Sequence, residues 1–384
     1  MDIKIVTAHY LPTTNAASIR LSSFVENWKN KSNINISILT SKNNKSSKNS
    51  EIKETFISLA DNDSGFIVRL FFEILFSIEV FLRLSFSNDE LYFVSSPPFL
   101  LTLSVLFISK IKRKKYILDI RDLYPEVLFN LDIIEKTNLL GRVLLFLEKK
   151  VYDNAFLIST VTNGLLEHIK NKSENQNLYL IRNGYSKKLF YPEKTKSNNK
   201  FKIIFHGTMG KFQNIELIVE LAKLFKDKNI NDIEFIVIGN GDKSNYLKEK
   251  IKEYHLKNIK YLGRKDINKI PDFINSCDLG ISPRIDGIIS QTAFPVKVYE
   301  YLGCGKPVLV TPVSEVGDFI EENEMGFQAE NDINKLFELI IKLKNDSELY
   351  NKITKNIKDK VNDFEREKIA EDYLKIIKDQ FQKL

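Results

Sequence analysis

Cysteine is scarce in this chain, and its scarcity excludes several classes of protein. Only two cysteines, Cys277 and Cys304, occur in 384 residues, and both lie among apolar neighbours without the spacing of metal ligands. A disulfide framework and a zinc finger are therefore excluded. The first residues also lack the basic stretch and apolar core that a secretory signal would have. We accordingly expect a protein of the reducing cytoplasm.

A large excess of one charge is also missing. The 57 basic and 50 acidic residues give a formal net charge of +7, which is modest for this length and leaves no nucleic-acid footprint. The densest basic run directly follows the apolar residues 98–108 and consists of Lys110, Lys112, Arg113, Lys114 and Lys115. A short apolar helix that ends in cations can rest on an anionic leaflet, so we predict that these five residues contact a membrane.

Long uninterrupted apolar runs are missing as well. Residues 66–86 come closest to a membrane-spanning segment, but Arg69, Glu73, Glu79 and Arg83 interrupt them. At 100° per residue these four charges fall within an arc of about 120°, which is typical of an amphipathic helix with a broad apolar face. We expect this helix to pack that face on a sheet rather than on a membrane.

Strands and helices alternate along most of the chain, and this alternation predicts the fold. A chain of 384 residues exceeds the size at which one core usually stops growing, so two domains are expected. The repeated units predict the α/β class, with a parallel sheet covered on both faces in each domain. We expect doubly wound, Rossmann-like domains at residues 1–185 and 201–364, joined by a polar linker at 186–200 and facing each other across a central cleft. A last helix at 365–384 is expected to pack back toward the first domain.

The loops beyond the carboxyl ends of parallel strands indicate where a ligand binds. In the second half these loops lie along one predicted edge, at residues 207–211, 239–242, 263–265 and 283–284 and at the helix that begins near Pro295. Glycines in such loops let backbone N–H groups approach an anion closely. Neither glycine-rich loop is a P-loop or a dinucleotide fingerprint, so only the coincidence of all five features is informative.

The helix near Pro295 carries the clearest signal for a ligand. Pro295 fits the first helical position, where its missing N–H costs nothing. Lys297 and Glu300 are three residues apart and share a face, which places a cation near the positive helix end and a carboxylate one turn deeper. A nucleotide diphosphate requires the first group and a ribose the second. The alternative is an ordinary amphipathic helix that ends at Gly303 and Gly305, with a solvated ion pair on its surface.

Five segments, taken in order, carry a resemblance to a known family. They read DIRDLYPE at 119–126, IRNG at 181–184, FHGTMGK at 205–211, VIGNG at 237–241 and AFPVKVYEY at 293–301. Their joint order resembles the family-4 retaining glycosyltransferases of the GT-B fold, over nearly the whole chain. Within that family the chain resembles the bacterial branch that builds O-antigen and capsule repeat units, including N-acetylfucosamine transferases.

The resemblance implies a nucleotide-sugar donor, UDP-linked or similarly activated, that is held mainly by the second half, with the acceptor in the first half. Glu300 is similar to the second glutamate of the family's paired motif, which binds ribose hydroxyls. Thr292 stands where relatives often have the first glutamate. Main-chain groups of Ala293 and Phe294 are therefore expected to replace that first carboxylate.

Other donor contacts follow from the same resemblance. Thr208, Lys211 and Gln213 stand on the loop where many relatives have Arg and Lys. Lys297 is therefore expected to carry more of the diphosphate charge, together with Arg284. The first strand-to-helix loop is expected near the donor phosphates, although capping of the next helix is an equal alternative for its asparagine. The predicted donor site comprises Asn15, Gly207, Thr208, Lys211, Gln213, Gly239, Asn240, Arg264, Arg284, Ala293, Phe294, Lys297 and Glu300.

Two charged residues at a predicted strand end complete the site in the first half. Arg121 and Asp122 are candidates for acceptor contact or electrostatic support, and with Lys297 and Glu300 they form the predicted catalytic set. The equal alternative is a structural ion pair of this strand end with Glu126.

Histidines and acidic residues give no sign of a metal site. His9, His168, His206 and His255 are scattered without metal spacing, and His206 is expected to be an ordinary strand-end residue. The segment from Asp61 to Asp63 resembles an Asp-x-Asp metal motif, but a solvated loop is expected there. No metal and no cofactor are expected, because a lysine, loop N–H groups and a helix dipole can stabilise a diphosphate.

The resemblance also implies the chemistry. Retaining transfer requires a stabilised diphosphate and an acceptor hydroxyl on the same face of the sugar, with a phosphate oxygen taking the proton. The expected acceptor is an undecaprenyl-diphosphate-linked saccharide at the inner leaflet of the cytoplasmic membrane. Two alternatives stay open: a non-hydrolysing UDP-sugar 2-epimerase, which shares the fold, and a glycosyltransferase-like partner subunit that binds nucleotide or lipid without transferring a sugar.

Overall fold

Each half of the chain builds its own parallel sheet. The computed structural model describes residues 1–12, 15–29, 31, 34–42, 52–60, 64–130, 132–193 and 200–383. They divide into two units, Met1–Asn183 with Arg366–Leu384, and Gly184–Glu365. Within the tract that we expected to be a linker, residues 194–199 lie outside the described residues, and residues 186–193 belong to the second unit.

The first unit holds a seven-stranded sheet. Its strands are β1 (Asp2–Thr7), β2 (Asn35–Thr40), β3 (Ile52–Glu54), β4 (Leu91–Ser96), β5 (Lys115–Ile120), β6 (Leu157–Thr160) and β7 (Leu178–Leu180). The helices that follow them are α1 (Ala16–Lys29), α2 (Phe66–Ser85), α3 (Phe99–Lys112), α4 (Glu126–Asn130), α5 (Leu139–Asn154) and α6 (Asn163–Lys170). The order β3-β2-β1-β4-β5-β6-β7 reverses at β1, as in a doubly wound sheet.

The second unit repeats this plan with six strands, in the order β10-β9-β8-β11-β12-β13. The strands are β8 (Phe201–His206), β9 (Ile233–Ile238), β10 (Ile259–Tyr261), β11 (Leu279–Pro283), β12 (Val308–Thr311) and β13 (Gly326–Gln328). The helices are α7 (Ile215–Asp227), α8 (Ser244–Glu253), α9 (Ile270–Asn275), α10 (Ile288–Gln291), α11 (Val296–Gly303), α12 (Glu315–Glu322), α13 (Ile333–Asn345) and α14 (Ser347–Lys360). The two sheets confirm the predicted α/β class with Rossmann-like, doubly wound domains.

Both sheets are covered on both faces. Every residue of β4 and of β9 is buried, and most of these residues are apolar without a strict alternation. The last helix, α15 (Arg366–Gln382), belongs to the first unit. There the Trp28 Nε1–H donates to the Ala370 carbonyl at 2.7 Å, and the Tyr373 ring meets the Trp28 ring edge-on at 5.8 Å between centroids.

Helix α3 is largely buried, which contradicts the membrane role predicted for its apolar residues. Leu101, Val105 and Ile108 pack in the core of the first unit. Their apolar surface is therefore not available to a bilayer. This is the normal fate of an apolar helix that connects two central strands of a parallel sheet.

The residues of the basic run at the end of α3 differ in their exposure to solvent. Lys110, Arg113 and Lys115 are exposed, and Lys114 is half-buried. Lys112 is half-buried too, and its ammonium donates hydrogen bonds to the Ser85 carbonyl at 3.0 Å and to the Ser87 carbonyl, at the end of α2. Lys112 therefore joins two helices, as a cation near the negative end of α2 should.

Helix α2 is more exposed than predicted. Only Phe76, Ser77, Val80 and Leu84 of its 20 residues are buried, and its apolar face is turned to solvent. The prediction that this face packs on the sheet is therefore wrong. None of the helices in the described part of the chain has both the length and the hydropathy to cross a bilayer.

Two carboxylates on the charged arc explain the orientation of α2. Glu79 accepts hydrogen bonds from the Phe56 and Ile57 N–H groups at 2.8 and 3.0 Å. Glu73 accepts a hydrogen bond from the Leu100 N–H at the start of α3, at 3.3 Å. Because these backbone amides need acceptors, the charged arc faces the protein and the apolar arc faces outward.

A buried ion pair fixes the centre of the first unit. The Arg20 guanidinium on α1 lies 3.0 Å from the Asp119 carboxylate on β5, and both side chains are almost completely buried. Asp119 also accepts a hydrogen bond from the Ser159 hydroxyl at 2.7 Å, and Arg20 donates to the Ile181 carbonyl at 2.8 Å. The pair therefore ties α1, β5 and β6 to the end of β7.

Removing the carboxylate of this pair should destabilise the first unit strongly. The Asp119→Ala variant leaves a buried guanidinium without its counter-charge, which costs about 3–5 kcal/mol. Urea unfolding followed by the fluorescence of Trp28, the one tryptophan of the chain, measures the change. The Lys31→Ala variant breaks an exposed pair with Glu371 and should cost less than about 1 kcal/mol. Equal costs for the two variants would contradict the importance of the buried pair.

Candidate functional site

Two glycine loops of the second unit touch through their backbones. The Gly207 N–H donates to the Ile238 carbonyl at 3.0 Å, and the Met209 N–H donates to the Asn240 carbonyl at 2.9 Å. Gly239 has a φ of +140°, and a Cβ there would lie 1.9 Å from the Gly207 carbonyl oxygen. The loops after β8 and β9 therefore need glycine at this point in order to lie side by side.

Lys297 is the buried cation of the site. Pro295 is the N-cap of α11, one position before the first helical place that we predicted for it. The Lys297 ammonium donates to the Gln213 side-chain carbonyl at 2.9 Å and lies 3.9 Å from the centroid of the Phe205 ring. A Cβ on Gly207 would lie 3.5 Å from the same ammonium, so the loop after β8 runs directly past it.

The charges around Lys297 favour a bound anion. The pKa of Lys297 is lowered to about 7, chiefly by burial and also by the nearby Arg284, while Glu300 acts in the opposite direction. Arg284 is held by its backbone, which pairs with Gln213 in an antiparallel bridge and donates to the Thr311 carbonyl at 2.8 Å. Two cations at one partly dehydrated place repel each other, and an anion bound there would relieve the repulsion.

Glu300 lies one turn further along α11, beside a histidine. The His206 Nε2 is 3.2 Å from a Glu300 carboxylate oxygen. Burial lowers the pKa of His206 to about 3, and Lys297 acts in the same direction, so the imidazole is neutral at ordinary pH. The backbone N–H of His206 donates to the Tyr301 hydroxyl at 3.2 Å, and the two side-chain rings pack edge to face with 5.1 Å between their centroids. Glu300 therefore lies against a fixed neutral ring.

The residues just before α11 offer main-chain groups rather than side chains. The Thr292 hydroxyl donates back to the Ile288 carbonyl of α10 at 3.0 Å. The Phe294 side chain is buried and stacks on Tyr299, with 4.5 Å between centroids and 11° between planes. The first amides of α11, including that of Lys297, have no acceptor within the helix. These amides point toward the same end of the helix that carries the ammonium.

The structure brings together only part of the predicted donor site. The residues that it groups by contact or by electrostatic interaction are Gly207, Gln213, Gly239, Arg284, Lys297 and Glu300. Thr208, Lys211 and Arg264 are exposed. The Asn240 side chain accepts a hydrogen bond from the Ser244 hydroxyl at 2.8 Å, at the start of α8.

Asn15 caps a helix in the first unit. Its side-chain carbonyl accepts hydrogen bonds from the Ser18 N–H at 2.9 Å and from the Ser18 hydroxyl at 2.6 Å. This is the geometry of an N-cap, which satisfies amides at the start of α1 that have no helical partner. The capping alternative thus accounts for the Asn15 side chain.

Arg121 and Asp122 follow β5, at the carboxyl end of the first sheet. The alternative pairing of this strand end with Glu126 is wrong, because the Glu126 carboxylate pairs instead with Lys136 and Lys172, each at 2.7 Å. Burial lowers the pKa of Arg121, while Asp119 and Asp122 raise it. Asp122 itself is exposed, and the Arg121 Nε has no hydrogen-bond partner among the described residues.

Glu126 also belongs to a cluster that has the composition of a metal site. His168 Nε2 lies 3.7 Å from Glu148 and 4.0 Å from Glu126, although the histidines show no metal spacing along the sequence. The Lys172 ammonium already lies 2.7 and 2.9 Å from the two carboxylates, so a cation is built into the cluster. The segment from Asp61 to Asp63 lies outside the described residues.

Several residues that shape the site were not found from the sequence. Phe205 lies against the Lys297 ammonium, His206 lies against the Glu300 carboxylate, and the Tyr301 hydroxyl accepts a hydrogen bond from the backbone N–H of His206. Phe205 and His206 directly precede Gly207, and the last residues of a strand before a glycine loop commonly line a ligand site. Their place at the end of a strand could therefore have identified Phe205 and His206 as site residues. Nothing in the sequence pairs His206 with Glu300, which lies 94 positions further along the chain.

Comparison with known proteins agrees with this arrangement. Residues 187–360 match the family described as Glycosyl transferases group 1. The solved structures that resemble the chain have the GT-B fold, and the residues that match the family model lie in the second unit.

The individual relatives are distant. An uncharacterized glycosyltransferase of Methanocaldococcus jannaschii is 26% identical over 239 residues, which are 62% of this chain and 62% of that protein, so the chain spans less than two thirds of that relative. The probable glycosyltransferase WbjE of Pseudomonas aeruginosa is 22% identical over 68% of this chain and 67% of its own. The crystal structure of Anabaena HepE in complex with UDP is similar with a TM-score of 0.75 and 13% identity, over 99% of this chain and 100% of that one. At that identity the likeness shows the fold alone.

A methyl group at Gly239 should disrupt the touching loops. The Gly239→Ala variant combines a left-handed backbone with a collision against the Gly207 carbonyl, and we expect a loss of about 2–4 kcal/mol in the free energy of unfolding. The matched control is Gly263→Ala, which has a φ of +65° but open space around its Cβ and should lose only about 1–2 kcal/mol. Urea unfolding followed by circular dichroism compares the two. Equal losses would show that the loops can separate without cost.

Proposed function

We propose that this protein is a retaining glycosyltransferase that moves a sugar from a UDP-linked donor to a lipid-linked saccharide. The observation that carries the proposal is the buried Lys297 at the start of α11, with Arg284 as a second cation and Glu300 one turn deeper. The expected acceptor is an undecaprenyl-diphosphate-linked saccharide at the inner face of the cell membrane. The expected role is the assembly of a surface polysaccharide such as O-antigen or capsule, in the N-acetylfucosamine-transferase-like branch.

The proposed binding site for the donor diphosphate is the start of α11. Its charge would be held by the Lys297 ammonium, by Arg284 and by the first amides of α11. The loop at Gly207 passes close to the ammonium without a side chain, which leaves room for phosphate oxygens. A lysine, an arginine and a helix end together supply the positive potential that a metal ion supplies in other nucleotide sites. UDP is supported by HepE, the similar protein that was crystallised with it.

The ribose comes next along the same helix face. A carboxylate can accept hydrogen bonds from two neighbouring hydroxyls, and Glu300, three residues after Lys297 on α11, is the proposed contact for the ribose. The neutral His206 ring lies 3.2 Å from this carboxylate and leaves its charge in place. Thr292 does not supply a second carboxylate, so the hydroxyls of the donor sugar would meet the main chain of Ala293 and Phe294.

The transfer itself follows from these placements. The bond between the sugar and the diphosphate breaks, and a bond from the acceptor oxygen forms on the same face of the sugar. A diphosphate oxygen takes the proton of the acceptor hydroxyl. Preorganised charge and positioning can each lower the barrier by several kcal/mol. Arg121 and Asp122, at the carboxyl end of β5, are the proposed contacts for the acceptor.

Substitution of the two helix residues tests the proposal. The variants Lys297→Met and Glu300→Gln keep the side-chain size but remove the charge, and each should lower kcat/KM for transfer by about 100-fold or more, because each removes a charged contact to the donor. The control variant Glu322→Gln removes an exposed carboxylate of α12 and should transfer normally. Mass spectrometry of a short synthetic lipid-diphosphate sugar, incubated with UDP-sugars, measures the product.

Three outcomes would contradict this proposal. A product formed from the nucleotide sugar without acceptor would identify an epimerase. UDP binding without any turnover, even with the cognate acceptor, would identify a partner subunit. Full activity of the Lys297→Met variant would mean that the diphosphate binds elsewhere.

The affinity for UDP should depend on pH through Lys297. Its pKa in the free protein is about 7, and a bound diphosphate raises that pKa, so binding takes up a proton above neutral pH. Affinity should therefore fall as pH rises from 7 to 8.5, by up to about tenfold per pH unit. Titration calorimetry in buffers of different ionisation enthalpy counts the protons taken up.

Matched variants make this measurement specific. Lys297→Met should bind UDP weakly and without uptake of that proton. Lys252→Met, which removes an exposed ammonium of α8, should keep the pH dependence of the wild type. A wild-type affinity that stays constant between pH 7 and 8.5 would contradict a neutral Lys297 in the free protein.

A further inference from the structure

The outward face of α2 is an apolar stripe. It consists of Ile67, Phe71, Ile74, Ile78 and Leu82, whose exposed fractions are 80%, 56%, 41%, 52% and 54%. Their spacings of three and four residues place all five on one side of the helix. A helix of 20 residues is about 30 Å long. The α2 stripe is therefore a contiguous apolar patch and differs from the single exposed apolar residues that most proteins have.

The α2 stripe cannot turn inward by rotation of the helix. Rotation would break the hydrogen bonds from the Phe56 and Ile57 N–H groups to Glu79, and the bond from the Leu100 N–H to Glu73. The Ile57 and Leu100 amides are part-buried and would lose their acceptors, and rotation would also remove Phe76, Val80 and Leu84 from the core of the first unit. The outward position of the stripe is therefore a property of the folded first unit.

Two neighbouring helices extend the apolar surface. Helix α3 packs against both α2 and α5. Phe107 and Ile111 of α3 are 49% and 69% exposed, and on α5 the exposed fractions of Leu139, Leu140 and Phe146 are 79%, 54% and 60%. Exposed apolar residues thus occur on all three helices of this side of the first sheet.

The charges on these helices have one sign. The exposed charged side chains of α2, α3 and α5 are Arg69, Lys110, Arg142 and Lys149, and all four are basic. The acidic side chains of the same helices are buried or half-buried. Among the flanking residues, Arg113 and Lys115 after α3 and Lys136 before α5 are exposed cations, and Asp132 and Glu135 before α5 are exposed carboxylates. An apolar surface with an excess of cations around it is complementary to hydrocarbon beneath anionic headgroups.

A second copy of the chain fits this surface poorly. A two-fold contact through the stripe would place one basic rim against another, and these helices expose no acidic side chain to pair with it. An anionic bilayer supplies both the apolar layer and the missing negative charge.

We infer that α2, with the exposed ends of α3 and α5, lies in the surface of an anionic lipid bilayer. The α2 stripe enters the boundary between headgroups and acyl chains, and the basic run after α3 adds attraction to the headgroups rather than anchoring the chain alone. Helices α2 and α5 begin at the carboxyl edge of the sheet, the edge that also carries Arg121 and Asp122. This inference extends the proposed function, because it brings a lipid-linked acceptor to that edge.

Vesicle sedimentation of the full chain tests the inference. We expect the wild type to sediment with vesicles of phosphatidylcholine containing phosphatidylglycerol, and much less with phosphatidylcholine alone. The Ile67→Gln, Ile78→Gln double variant should bind the anionic vesicles at least about tenfold more weakly, because two exposed apolar side chains no longer enter the lipid. Glutamine keeps the helix, because its helix propensity is high.

A matched control distinguishes binding through the α2 stripe from nonspecific binding of exposed apolar residues. The Ile267→Gln, Val313→Gln double variant changes two apolar residues of the second unit that are 41% and 44% exposed, and it should bind vesicles like the wild type. Failure of the wild type to bind anionic vesicles would overturn the inference, as would equal binding by the α2 variant. Light scattering without lipid adds a third test, and a wild-type dimer that the α2 variant loses would assign the stripe to self-association instead.

The same samples keep this inference distinct from the proposed function. Stabilisation by UDP reports on the second unit, so it should be equal in the wild type and in the α2 variant. Vesicle binding without UDP binding would leave the lipid surface standing and remove the proposed donor. UDP binding without vesicle binding would overturn only the lipid surface.

Discussion

The buried ammonium of Lys297 is the constraint on which the candidate site depends. Burial of a cation is unfavourable unless other groups compensate it. Here Gln213 supplies one hydrogen bond and Phe205 an aromatic face, while Arg284 adds a second positive charge. The Glu300 carboxylate offsets part of this positive charge, whereas the glycine loops and the neutral His206 add no negative charge.

Much of the fold could be predicted from the sequence, since it follows from local periodicity. Alternating strands and amphipathic helices correctly predicted the two doubly wound sheets, and glycines after strands predicted the loops that touch beyond β8 and β9. The proximity of Lys297 and Glu300 was accessible too, because three residues on a helix define one face. Contacts between residues far apart in the chain were not accessible. The pairs Arg20–Asp119 and His206–Glu300 depend on which strand ends adjoin, and periodicity carries no such information.

Helix α2 shows a different limit of sequence analysis. Its pattern correctly separates a charged arc from an apolar arc, but a helical wheel does not say which arc the protein covers. On the inner side of α2, Glu79 and Glu73 accept from backbone amides at Phe56 and Leu100, and Phe76, Val80 and Leu84 pack in the core. Helix α3, which is more uniformly apolar, is largely buried. The side that faces the protein is thus set by contacts with residues outside the helix, which a helical wheel does not contain.

The return of α15 to the first unit has a consequence for biosynthesis. The polypeptide enters the second unit at Gly184 and leaves it at Glu365, and Tyr185 and Glu365 lie side by side in a parallel bridge. Trp28 of α1 and Tyr373 of α15 therefore meet only after the whole intervening unit has left the ribosome. The second unit is one continuous segment of the chain, whereas the first unit is assembled from two separate segments. One flank of α1 therefore stays uncovered until α15 has been synthesised.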